Sequence, residues 1–123
     1  MKIAISSTGK TLESDVDSRF GRCAYFLIVE IEGSKIKGFK AIENKAKEQM
    51  GGAGISSGEN VANEKVDAII TNNLGPRAFS VFEQLKIKVY SGQGKIKDVV
   101  TKFIEGKLKK LTDVTGPQHM GLK

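Results

Sequence analysis

The sequence predicts an α/β domain, a five-stranded mixed sheet with helices on both faces, and three observations carry that expectation. Residues 24–32 alternate with period two, and Gly33-Ser34 supplies a two-residue turn into a second alternating run, Lys35 to Ile42, which together predict an antiparallel hairpin. Beyond that hairpin, helical and strand-like patterns alternate, which favours parallel strands joined by crossover helices. Ile96, Val99, Val100, Phe103 and Ile104 then match the i, i+3, i+4, i+7, i+8 stripe of an amphipathic helix.

The remaining elements follow in order. Ile3-Ala4-Ile5 reads as a short buried strand, and Thr8 to Arg22 as a loop rich in turn formers and charge. In the hairpin Tyr25, Leu27, Val29 and Ile31 share one face, with Ala24, Phe26 and Ile28 on the other. Asn44 to Gly54 is a polar, glycine-terminated loop long enough to close over a ligand. A helix is expected over Ile55 to Lys65, turning Ile55, Ala62 and Val66 inward, before a doubly buried strand at Asp67 to Thr71. Pro76 to Lys86 carries Phe79, Phe82 and Leu85 at helical spacing, and Ile87 to Ser91 forms the next strand. Gly106 ends the last helix, and Leu108 and Leu111 fold back on the core. Residues 1–111 are thus expected to form one domain, and residues 112–123 a flexible C-terminal tail.

Composition narrows the function classes. The 123 residues are 39% hydrophobic and 28% charged, with no apolar run long enough to span a membrane and no secretory leader, so a cytoplasmic protein is expected. The single cysteine, Cys23, excludes an internal disulfide and an all-cysteine metal cage within one chain. The net charge of +6 raises nucleic acid as a partner, but residues 1–33 and 51–80 together hold 6 Lys/Arg against 8 Asp/Glu. The surplus lies in Lys35 to Lys47 and Lys86 to Lys110, scattered over a hairpin and helix backs, the pattern of a solvated surface.

The chemistry concentrates in three loops. Gly51-Gly52-Ala53-Gly54 leads directly into a helix and presents bare main-chain amides at its start, a place to hold an anion. Asn72-Asn73-Leu74-Gly75-Pro76-Arg77 repeats the arrangement, with Pro76 suited to the first helical position. Both loops fall at the carboxyl ends of the expected parallel strands, where a ligand crevice forms. Arg19-Phe20-Gly21-Arg22-Cys23 adds two guanidiniums and a thiol. The competing reading is a surface loop whose arginines pair with Asp15 and Asp17, with Cys23 a small residue at a strand start.

Cys23 and His119 are the candidate metal ligands, the latter beside Met120 in the tail. The spacing Gly52-x-Gly54-x-x-x-Gly58 lacks the preceding strand and the acidic ribose ligand of a dinucleotide fingerprint, and a phosphate loop ending in Gly-Lys-Ser/Thr is absent. No catalytic residues are assigned: His119 is a poor base for a nucleophile, and the first strand carries no carboxylate for a metal-dependent nuclease.

Met1-Lys2-Ile3-Ala4-Ile5, Phe20-Gly21-Arg22 before Tyr25-Phe26, Gly51-Gly52-Ala53-Gly54-Ile55, Thr71-Asn72-Asn73-Leu74-Gly75-Pro76-Arg77-Ala78-Phe79 and Ile87-Lys88-Val89-Tyr90 stand in an order that resembles the dinitrogenase iron–molybdenum cofactor biosynthesis family. That family includes the NifX- and NafY-like proteins and the matching domain of NifB. The resemblance implies a ribonuclease H-like three-layer fold without the nuclease residues. It also implies a non-catalytic carrier whose cargo is an iron–sulfur or iron–molybdenum–sulfur cluster, and metallocofactor assembly proteins as partners. Arg19 to Arg22, Gly51, Gly52, Gly54, Asn72, Gly75, Pro76 and Arg77 are then the positions expected to line the site. Cys23 stands where the family often has a small residue, so a ligand role for it is not inherited. The alternative from another class is a nucleotide- or phosphometabolite-binding enzyme using the same glycine-loop crevice.

Overall fold

A computed structural model describes residues 1–46 and 53–111 of the chain. Its elements are β1 (Lys2–Ser7), a 3-10 turn (Phe20–Arg22), β2 (Tyr25–Glu32), β3 (Lys35–Glu43), α1 (Ala53–Ala62), β4 (Ala68–Thr71), α2 (Pro76–Gln84), β5 (Lys88–Ser91), α3 (Ile96–Ile104) and β6 (Lys109–Leu111). One mixed sheet has the order β3-β2-β1-β4-β5-β6, in which β1, β4 and β5 run parallel and the other pairings are antiparallel.

The hairpin forms as the alternation requires. Gly33 takes φ 64° at the turn, a conformation that glycine adopts without strain, and Glu32 pairs with Lys35. The alternation of β2 then divides the core. Phe26 and Ile28 join Ala4, Ile69 and Val89 on the face covered by α1 and α2, while Leu27, Val29 and Ile31 join Ile3, Ile5 and Ile70 on the face covered by α3. Helices therefore lie on both faces, as expected.

Three local expectations are corrected. The sheet has six strands rather than five, because Lys109–Leu111 pairs with β5 through Ser91↔Lys109, Tyr90↔Lys110 and Val89↔Leu111. So short a lysine-bearing run has no alternation to read, and it lies at the sheet edge where lysine is tolerated. The first crossover helix stops at Ala62 rather than Lys65: Glu64 and Lys65 N–H bond the Val61 and Ala62 carbonyls in a tightened turn, and Lys65 takes φ 58°. Among its described residues the buried ones are Ser57, Gly58 and Val61, and Gly58 lies against Phe82, whose Cζ an added Cβ would approach to 3.3 Å. Leu85, placed on the inner face of α2 by spacing, is 52% exposed beyond the helix end.

The carboxyl edge is tied together from both sides. Asp17 N–H donates to the Ser6 carbonyl at 2.9 Å, and the fully buried Ser6 and Thr71 hydroxyls lie 2.9 Å apart between β1 and β4. Gly92 follows β5 in close contact with its neighbours: a Cβ there would sit 2.8 Å from Val99 Cγ1 and 2.9 Å from Ile70 Cγ2. Both neighbours are buried and cannot yield freely. Gly92→Ala is expected to cost about 1–3 kcal/mol, read as a fall in thermal midpoint, whereas Gly38→Ala, with nothing within 4 Å of the added carbon, serves as the control.

Candidate functional site

Because α1 leads into β4, and α2 and α3 leave β4 and β5, all three helices begin at the carboxyl edge of the parallel strands. Each helix start leaves amides without intrahelical partners and carries partial positive charge. In α2 the cap is Gly75, no side chain caps it, and Pro76 is at the first position. The Arg77 and Ala78 amides thus have no partner within the helix. Gly75 has an ordinary φ of −73°, and a Cβ added there would meet nothing within 4 Å. Neither conformation nor packing inside the described chain requires glycine at this point, and the space above it is open.

The structure brings two of the sequence-selected loops, with α1 and α2, onto one foundation. Phe20 and Cys23 from the 3-10 turn, Leu74 from the turn after β4, Ala78 and Phe82 from α2 and Val61 from α1 belong to a single buried cluster. Phe20 packs edge-on against Phe82 at 5.4 Å and tilted against Phe26 at 5.0 Å. Around this foundation Arg19, Arg22, Gly75, Pro76 and Arg77 are exposed, and Gly21 and Asn72 are half-buried. Gly54 lies in the first turn of α1. Gly51, Gly52 and His119 lie outside the described residues.

The two arginines differ. Arg19 folds back onto Asp17, with Nε and Nη2 donating to the carboxylate at 3.2 and 3.3 Å, which raises its pKa. This is the Asp17 pairing that the surface-loop reading anticipated, and it partly neutralises Arg19. Arg22 closes the 3-10 turn through its main chain, its N–H bonding the Arg19 carbonyl at 3.0 Å.

Cys23 points inward. It is fully buried, its thiol donates to the Phe20 carbonyl at 3.3 Å, and burial pushes it from an ordinary value of 9.0 up to about 12. Here it acts as a neutral packing residue and turn clamp. Between pH 9 and 12 the unfolded chain releases this proton while the folded chain keeps it, so stability is full below pH 9 and falls as pH rises. Chemical unfolding of wild type and Cys23→Ala at pH 8 and pH 10.5 should show the extra high-pH loss in wild type alone. Among the described residues no group of three or more His, Cys, Asp or Glu is placed to hold a metal ion.

Sequence reasoning passed over Asn44 and Ser57. Both are fully buried. Asn44 Nδ2 donates to the carbonyls of Gly21 at 3.2 Å and Cys23 at 2.9 Å, while Oδ1 accepts from Ala46 N–H at 3.1 Å and from the Ser57 hydroxyl at 3.0 Å. Ser57 Oγ also lies 3.4 Å from the Gly21 carbonyl. An asparagine opening a polar loop reads as an ordinary turn residue, and its partners are 21 to 23 residues distant.

Fold and edge chemistry together define a mixed α/β domain that presents main-chain amides and guanidiniums along one edge of its sheet. The chain belongs to the dinitrogenase iron-molybdenum cofactor family, whose model matches residues 1–106. An uncharacterized protein of Methanocaldococcus jannaschii is 45% identical over 111 residues, covering 89% of this chain and 91% of its own. A second from the same organism is 33% identical over 117 residues, covering 92% and 96%.

Among solved structures, the apo form of the orange protein from Desulfovibrio gigas superposes with a TM-score of 0.87 at 27% identity, covering 94% of this chain and 96% of that one. A putative NifB protein from Thermotoga has a TM-score of 0.78 at 30% identity, covering 94% and 97%. The chain is thereby tied to iron–molybdenum cofactor biosynthesis. No helix among the described residues is long and apolar enough to cross a membrane.

Proposed function

We propose that this chain is a non-catalytic carrier of an anionic iron–sulfur or iron–molybdenum–sulfur cluster, or its precursor, handed between metallocofactor assembly proteins. The observation that carries the reading is the meeting of the α2 start with the arginine-bearing turn over one buried cluster at the carboxyl edge of the parallel strands, with Ser57 of α1 lying 3.4 Å from the Gly21 carbonyl of that turn. Such clusters are polyanionic with acceptor sulfurs on their surface, and amides and guanidiniums are donors that hold them through hydrogen bonds. Open space above Gly75 leaves room for such an approach. Family membership and the likeness to a putative NifB protein favour a metal–sulfur cargo over a nucleotide.

In this reading Arg22, Arg77, Asn72 and the amides of Gly51, Gly52, Gly54 and Gly75 to Arg77 hold the cargo. Arg19 contributes less, being already paired with Asp17. A direct metal bond from Cys23 would require the thiol to leave the core and lose its proton. Tail and edge are separable by experiment. Protein lacking residues 116–123, and with them His119, should take up iron and sulfide as the full chain does, while Gly52→Val should lower uptake at least about tenfold by blocking main-chain approach. Equal losses in the two variants would contradict a site built from amides.

A further inference from the structure

We infer that Asn44, with Ser57, is the positioning element of the carrier site: it fixes the Arg19–Arg22 turn against the start of α1 and the entry to the glycine loop. The inference rests on the carrier reading above for its functional meaning, and on the hydrogen-bond geometry alone for its mechanics. Three segments meet at one side-chain amide. The turn supplies the Gly21 and Cys23 carbonyls, α1 supplies the Ser57 hydroxyl, and the chain heading into the glycine loop supplies Ala46 N–H. Asn44 is itself held at the end of the hairpin, its N–H donating to the Ala24 carbonyl at 3.0 Å.

Both donors and both acceptor positions of the amide are used, in a place without solvent. Aspartate, of the same shape, would keep the two acceptor contacts but oppose a carboxylate oxygen to two carbonyls. Alanine would remove all four contacts, leaving only the 3.4 Å approach of Ser57 Oγ to the Gly21 carbonyl. The amide chemistry, not the volume, is what this position needs. Asn44 acts through the main chain of the turn that carries the guanidiniums. With the turn fixed, its main chain need not be ordered on binding, and only the arginine side chains lose freedom.

Cys23 provides a ligand-free readout, since the chain's one thiol is fully buried within this turn. Labelling by a small uncharged thiol reagent is expected to accelerate about tenfold or more in Asn44→Asp, and about fivefold in the milder Ser57→Ala, as buried partners are lost. The acceleration should not change across low urea concentrations, because the opening is local and exposes little surface. After anaerobic loading with iron and sulfide, both variants should release iron faster than wild type.

Ser57→Ala keeps the test open should Asn44→Asp fail to fold. Unchanged labelling in folded variants, or labelling that follows urea as global unfolding does, overturns the inference. Faster labelling with wild-type iron retention removes the positioning role. Wild-type protein that takes up no iron overturns the carrier reading instead, and the labelling result still decides whether the clamp exists.

Discussion

Phe82→Ala should lower unfolding free energy by about 3–5 kcal/mol, the range for deleting a fully buried phenylalanine. The ring is completely enclosed, lies under the Gly58 backbone of α1, and meets Phe20 edge-on at 5.4 Å. Its loss opens a cavity where α1, α2 and the arginine-bearing turn converge, so damage extends from the core to the proposed site. Urea unfolding should show a lower midpoint at similar slope, while Phe39→Ala, whose ring is 45% exposed on edge strand β3, should cost under about 1 kcal/mol. Similar losses in the two variants would contradict this account of the core.

Arg22→Ala should weaken cluster binding about tenfold to a hundredfold, as expected for losing charge-assisted hydrogen bonds to an anion, without a comparable loss of stability. Arg22 is exposed, so truncating its side chain opens no cavity in the core. The wild-type affinity should fall with added salt, and Arg22→Ala should show a shallower dependence because one cationic contact is gone. Arg19→Ala should weaken binding by under about tenfold, since the Asp17 carboxylate 3.2 Å away offsets much of that guanidinium's charge toward an anion. An Arg19→Ala effect larger than that of Arg22→Ala would reverse the assignment within the turn.

How far the sequence carried this account follows from which signals are local. The β2–β3 hairpin was legible because Gly33-Ser34 and two alternating runs are contiguous, and α3 because its stripe sits entirely within residues 96–104. β6 was not legible: Lys109-Lys110-Leu111 gains its strand character only from pairing with β5. Of the residues expected to turn inward from α1, Val66 is buried, beyond the helix end, while Ser57 and Gly58 were missed for a related reason. Ser57 and Gly58 are inward because one bonds Asn44 and the other admits Phe82, both of them tertiary partners. Helical periodicity rewards apolar side chains and passes over a serine or glycine buried for its hydrogen bond or its lack of bulk.

The edge chemistry was partly legible. Gly75-Pro76-Arg77 declared a helix start from residue types alone, and α2 begins at Pro76. The Arg19–Asp17 pair followed from two residues of opposite charge in one short loop. The interior setting of Cys23 did not, because its pKa is governed by burial that only the assembled fold creates. Asn44 was invisible for the same reason, since its amide N–H groups bond carbonyls brought by the turn before β2 and its oxygen accepts from Ser57 of α1.

The most direct measurement is anaerobic incubation of the protein with iron, sulfide and molybdate, followed by gel filtration and metal and sulfide analysis of the protein peak. The account predicts metal and sulfide co-eluting in fixed proportion to protein, and losing that proportion in Arg22→Ala. A protein peak free of metal, or one that instead retains a phosphorylated small molecule with ultraviolet absorbance, would contradict it.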